Sequence, residues 1–163
     1  MDEVAWLDLE GILRVEEILI EHILHHVAET VPNELKALGR DPEDLLAIKT
    51  PFKRIHYDDV IELLHRNGFD IKPGDDLSTA HEKFLTTNEK APIFVVECPK
   101  AVKPFYTKID PKRPELVLSA DMLAPEGCGE ISTGGQREEN LEEIVNRIKA
   151  GGSIQTIMHG VLI

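Results

Sequence analysis

The stretch Asp121-Met-Leu-Ala-Pro-Glu-Gly-Cys-Gly-Glu-Ile-Ser-Thr-Gly-Gly-Gln-Arg137 reads as a strand, a turn and a second strand. It gathers carboxylates, hydroxyls, glycines and one arginine into a single hairpin. Such a segment has the chemistry to hold a metal, a phosphate and a small charged substrate side by side.

Outward from this hairpin, residues 93–98, 104–107 and 115–121 are short runs rich in β-branched or aromatic residues, and each is expected to be a strand. Pro92, Pro99, Pro104, Pro111, Pro114 and Pro125 fall at their edges or in loops, where a missing amide donor is tolerated. Residues 138–149 return to helical spacing, with Leu141, Ile144, Val145 and Ile148 on one face. The N-terminal half is helical. Leu9, Ile12, Leu13, Val15, Ile18, Leu19, Ile23 and Val27 mark one face of a long helix whose acidic start suits the helix dipole, and Pro32 interrupts it. Residues 33–48 add a short helix or two, and residues 51–56 are extended. Residues 57–67 form a helix closed by Gly68. Ser78 or Thr79 then caps a helix running to about residue 85. The expected fold is one α+β domain over residues 1–163, an antiparallel sheet flanked by helices.

At 163 residues the chain is long enough to bury roughly two-thirds of its unfolded surface, and 42 % apolar and 29 % charged residues are ordinary globular usage. A net charge of -12 argues against a broad nucleic-acid-binding face. No apolar run is long enough to span a membrane, and Met1-Asp-Glu-Val lacks signal-peptide order, so the expected location is cytoplasmic. Cys98 and Cys128 have neither zinc-ligand spacing nor disulfide density and read as free thiols.

Within the hairpin, Asp121 and Glu130 lie on neighbouring strands with Thr133 three residues on, a set of hard oxygen donors suited to magnesium, or a pair of solvated strand carboxylates. By strand alternation Glu130 shares a face with Ser132, and Thr133 needs the turn to bring it round. Arg137 follows two glycines that let a ligand approach the backbone; it either grips a carboxylate or amide oxygen or is an ordinary surface arginine. Asp75 and Asp76 bind an ammonium group or favour a helix start. His22, His25 and His26 have metal-compatible spacing but not the zinc-protease pattern. Of the scattered lysines, only Lys103, beside Phe105-Tyr106, is placed near a pocket.

Four blocks occur in an order that resembles class II aminoacyl-tRNA synthetases of the asparaginyl and aspartyl branch. They are Pro51-Phe-Lys-Arg-Ile-His-Tyr-Asp-Asp-Val-Ile61, Gly74-Asp-Asp-Leu-Ser-Thr-Ala-His-Glu82, Pro99-Lys-Ala-Val-Lys-Pro-Phe-Tyr106 and Glu130-Ile-Ser-Thr-Gly-Gly-Gln-Arg-Glu138. Residues 123–129 are similar to the asparaginyl enzymes, while Pro104-Phe-Tyr-Thr107 is closer to the aspartyl ones. The resemblance spans about residues 3–150 and leaves 151–163 as a divergent tail.

It implies a partial catalytic core for ATP-dependent activation of asparagine, or aspartate, to the adenylate and transfer to tRNA. ATP and Mg2+ would be the cofactors. It further implies that Asp121 and Glu130 face magnesium and ATP with Thr133 beside them, that Arg137 binds the substrate side chain, and that Asp76 and Glu82 line the amino-acid pocket. Ala80 stands where the family commonly has a glutamate, and His56 where a capping threonine is usual. The family's motifs 1, 2 and 3 are not found in the chain, so it is expected to be inactive or nearly so alone, working as a homo-oligomer or with a complementing chain. The rival expectations are a non-catalytic paralogue that binds a small amino acid or partner subunit, and a relative of ammonia-dependent asparagine synthetase.

Overall fold

Asp8 begins the first helix by accepting a hydrogen bond from the Gly11 amide at 2.9 Å, filling one of the donors a helix start leaves open. From there α1, Leu9–Thr30, runs through the computed structural model, which describes residues 3–150. Pro32 interrupts nothing in mid-helix. It sits in the first turn of α2, Pro32–Ala37, where its missing amide is not needed. A second short helix, α3, Pro42–Leu46, is capped by Asp41 on the Glu43 amide at 3.1 Å.

Four strands follow in the order β1-β2-β3-β4: β1, Lys53–His56; β2, Ile93–Val96; β3, Ser119–Ala124; and β4, Gly129–Gly135. β2, β3 and β4 are antiparallel as expected, but β1 lies parallel to β2, so the sheet is mixed. The reason is the connection between them. It carries α4, Tyr57–Arg66, and α5, Thr79–Thr86, and such a helical crossover returns the chain to the start of a parallel neighbour.

The expected strand at 104–107 is also absent. Pro104 offers no amide, the Thr107 amide turns back to the Pro104 carbonyl at 3.0 Å, and only one bridge, Thr107 to Arg137, reaches the sheet. Likewise the run 115–121 becomes a continuous strand only at Ser119, after single bridges at Leu116 and Val117. The last helix, α6, Leu141–Ala150, starts three residues later than its spacing suggested, because Asn140 accepts from the Glu142 amide at 2.9 Å.

Strand alternation divides the core in two. Val95 and Leu123 pack with Val60, Ile61 and Leu64 of α4 and Leu85 of α5 on one face. Phe94, Val96, Ala120 and Met122 pack with Leu9 and Leu13 of α1 on the other. Glu17 is buried on that second face, yet its carboxylate is not orphaned: it accepts from the Phe52 amide at 3.0 Å and lies 3.8 Å from Arg54. Among the described residues no helix is long and apolar enough to cross a membrane.

Candidate functional site

Asp121 on β3 pairs with Thr133 on β4, and Met122 with Ser132, but Leu123 pairs with Glu130. Ile131 is therefore an extra residue, a bulge that reverses the alternation on one side of it. Its consequence is that Glu130 and Thr133 face the same way as Asp121, toward α5. Ser132 faces α1 instead, where its hydroxyl donates to Glu16 at 2.9 Å. The expectation that Glu130 shares a face with Ser132 is thus corrected by one inserted residue.

Asp121 is buried, and both its oxygens are taken. The Lys103 ammonium lies 2.5 Å from one and 2.6 Å from the other, and the Thr133 hydroxyl donates to the first at 2.5 Å. Lys103 also reaches the Thr133 oxygen at 3.3 Å. Burial alone would push the Lys103 pKa down, but the Asp121 charge, with Cys98 and Glu130, outweighs it and holds the ammonium above the ordinary lysine value. Burial and then Asp121 push the neighbouring Cys98 thiol up to about 12, so this thiol is inert at neutral pH.

Glu130 extends the cluster. Its carboxyl is raised by burial and then by Asp121, with Lys103 partly compensating and Glu82 and Asp76 adding to the rise. The Glu130 amide donates to Glu82 of α5 at 3.3 Å. Gly129 makes this approach possible, since its φ is +86° and a Cβ there would sit 3.1 Å from a Glu82 oxygen. Asp76 is held by a loop that Tyr57 secures, its hydroxyl accepting from the Gly74 amide at 3.0 Å and donating to the Asp75 carbonyl at 2.6 Å. Asp75 locks that loop through the Lys72 amide at 2.9 Å, and the start of α5 is closed instead by His81 accepting from the Ser78 amide at 3.1 Å. Neither aspartate side chain caps α5 by a hydrogen bond.

Arg137 stands apart from this cluster. Its guanidinium lies 4.2 Å over the Tyr106 ring and 2.7 Å from Glu3, and the Glu138 amide ties the segment to the Tyr106 carbonyl at 2.8 Å. Of the two glycines before it, Gly135 serves the fold rather than a ligand. A Cβ there would be 2.8 Å from the Leu118 carbonyl, whereas at Gly134 it would meet open space.

The sequence reading missed Lys103 as the partner of Asp121, and missed Arg147. From α6, Arg147 donates to the carbonyls of Thr107, Lys100 at 3.2 Å and Lys103 at 3.3 Å, fixing the loop that carries Lys103. Only the proximity of Lys103 to Phe105-Tyr106 hinted at this; nothing in the helical pattern of α6 did.

Asp121, Thr133 and Glu130 are hard oxygen donors of the kind magnesium takes, and Asp121 and Thr133 already hold the Lys103 ammonium, so the donor set fits a cation. Among the described residues no three His, Cys, Asp or Glu side chains already converge on a metal position. The three histidines do not: the His22 and His26 rings stack with centroids 6.1 Å apart, and His25 bonds the Ile48 carbonyl at 2.9 Å. His56 caps nothing with its side chain and pairs with Glu97 at 3.2 Å. A surface cleft of about 380 Å³ lies on the α1 side, lined by Asp8, Arg54, His56, Glu97 and Gln136, and includes none of the six candidate residues.

The family model for class II tRNA synthetases (D, K and N) matches residues 2–159. The chain belongs to this family. The asparagine–tRNA ligase of Thermoplasma acidophilum is 46 % identical over 147 residues, covering 90 % of this chain and 34 % of that protein. The ligase of Thermococcus gammatolerans is 42 % identical over 150 residues, covering 92 % and 35 %. Among solved structures, the asparaginyl-tRNA synthetase from Pyrococcus horikoshii complexed with asparaginyl-adenylate superposes with a TM-score of 0.87 at 41 % identity, covering 91 % of this chain and 34 % of that one. The chain thus spans about a third of the length of the curated relatives it matches.

Proposed function

We propose that this class II chain supplies the amino-acid-facing part of an asparaginyl-adenylate-forming site, contributing to ATP-dependent ligation of asparagine to tRNA in the cytoplasm. The carrying observation is the clustering of Asp121, Glu130, Thr133, Glu82 and Asp76 on one sheet face, in a fold matching at 0.87 a synthetase solved with asparaginyl-adenylate.

In this reading Asp76 and Glu82 accept the α-ammonium of asparagine, which four neighbouring carboxylates attract. Arg137 exchanges its Glu3 contact for the side-chain amide oxygen, while Tyr106 holds the guanidinium plane. Asp121, Glu130 and Thr133 face Mg2+ and the ATP phosphates. When bound, the metal would offset charge developing on the leaving pyrophosphate. The asparagine carboxylate, pinned between these two groups, is then aligned for attack on the α-phosphorus. The described residues act as one catalytic-core unit. Exposed Val15, Ile18, Leu19 and Ile23 on α1 offer an apolar face for a second copy or a complementing chain.

Calorimetric titration with asparagine and aspartate tests the reading. Asparagine is expected to bind at least tenfold tighter than aspartate, and Arg137→Gln to remove most of that binding. No heat from either amino acid at millimolar concentration would sink it. Exchange of pyrophosphate into ATP that depends on asparagine separates a catalytic unit from one that binds only.

A further inference from the structure

An ammonium group has three donors and no acceptor, and that of Lys103 meets three oxygens: both from Asp121, at 2.5 and 2.6 Å, and that of Thr133, at 3.3 Å. Thr133 can accept because its own proton goes to Asp121. The ammonium is therefore gripped from three directions, much as oxygen ligands grip a metal ion, with both side chains about nine-tenths shielded at 11 % and 10 % exposure. A divalent ion at Asp121 would meet the positive charge of Lys103 on both carboxylate oxygens.

Arg147 determines which part of Lys103 is able to move. It anchors the carbonyls of Lys100, Lys103 and Thr107, so a displacement of the ammonium has to come from rotation of the four-carbon stem and not from the backbone. Glu130 lies beside the same pair, its charge felt by Lys103.

We propose that Lys103 is a placeholder cation, which neutralises Asp121 and gives up that position when a divalent ion binds across Asp121 and Glu130. The exchange keeps the buried carboxylate paired at every stage. It also frees an ammonium, formerly shielded, for an anionic group of the incoming ligand at the same spot. The inference rests on the reading of Asp121 and Glu130 as metal-facing, but not on which amino acid the chain binds.

Competition of this kind lowers metal affinity, and removing the competitor raises it. Mn2+ alone, titrated and followed by electron paramagnetic resonance, is expected to bind Lys103→Met at least tenfold more tightly than the parent chain. Adding Asp121→Asn to that variant should return the affinity to the parent level or below. In the parent chain, the side-chain nitrogen resonance of Lys103 should shift and exchange faster as Mg2+ is added. Equal Mn2+ affinity in the parent and Lys103→Met overturns the proposal, as does an absence of Mn2+ binding to either. If Lys103→Met does not fold, the nitrogen resonance decides alone: a signal unmoved at saturating Mg2+ rejects the exchange. A chain that binds no asparagine yet shows the tenfold gain keeps the placeholder and loses only the proposed function.

Discussion

Glu130 and Thr133, three residues apart on β4, face the same side of the sheet because the bulge at Ile131 separates them. Regular alternation would have sent one of them to α1. The bulge gives a direct test. Deleting Ile131 should restore regular pairing and leave Glu130 opposite Leu123, still facing α5, because Glu130 and Thr133 would then stand two positions apart. Urea denaturation is therefore expected to show a change of no more than about 1–2 kcal/mol on deletion, and Ile131→Ala should stay within about 1 kcal/mol because that side chain is half-exposed. A loss well beyond this on deletion would show that the extra residue supports more than the direction of Glu130.

The two glycines before Arg137 should respond differently. Gly135→Ala places a methyl against the Leu118 carbonyl, where backbone must move, and a loss of about 1–3 kcal/mol is expected. Gly134→Ala meets nothing and should be close to neutral, both variants being read by urea denaturation. Equal losses would show that the approach of β3 and β4 there is not what requires glycine.

Arg147→Met should loosen the loop that carries Lys103. Carbonyls of Lys100, Lys103 and Thr107 lose their donor, with an expected cost of about 1–3 kcal/mol. Hydrogen exchange should rise at residues 100–108 and stay unchanged in α4. Protection lost evenly across the sheet would place Arg147 in the general core instead.

The pH dependence of stability should carry a signature of Glu16. Its pKa is raised above 4.5 by burial, with the Ser132 hydrogen bond pulling back, so the folded chain holds this proton more tightly than the unfolded one. Its contribution is present in full below the unfolded value and is lost as pH rises through the folded one. Glu16→Gln keeps a hydrogen-bond partner for Ser132 and carries no charge to desolvate. The variant should therefore gain on the parent chain as pH climbs from 4 to 7, read as diverging denaturation midpoints; parallel curves would exclude the effect.

A final variant addresses the core. Leu64 is fully buried between α4 and the sheet, and Leu64→Ala should cost about 2–5 kcal/mol in urea denaturation. A smaller loss would mean that α4 settles into the space left behind.

Much of this architecture is local, and local signals carried it. Residues 9–27 formed α1 as their spacing suggested, although Val15, Ile18, Leu19 and Ile23 are exposed while Leu9 and Leu13 are buried, so they do not share one face. Asn140 and Asp8 fixed helix starts through their own side chains, and Gly68 closed α4 at a φ of +83°. The hairpin from Asp121 to Arg137 appeared as strand, turn and strand because turn chemistry is written in neighbouring residues. The ordered blocks identified the family, later matched over residues 2–159. What periodicity could not carry was anything set by a distant partner. The parallel pairing of β1 depends on where a crossover of two helices returns the chain. The loss of the expected strand at 104–107 depends on Pro104 and on an α6 arginine some 40 residues onward.

Sequence alone thus determined the helices, the hairpin and the family, since each is encoded in short-range pattern or in the order of motifs. Tertiary structure alone decided which side chains face one another. A single bulged residue set the direction of Glu130, and the fold brought Lys103 to Asp121 across 18 positions. Charge pairing acts through space, and no spacing along the chain records it.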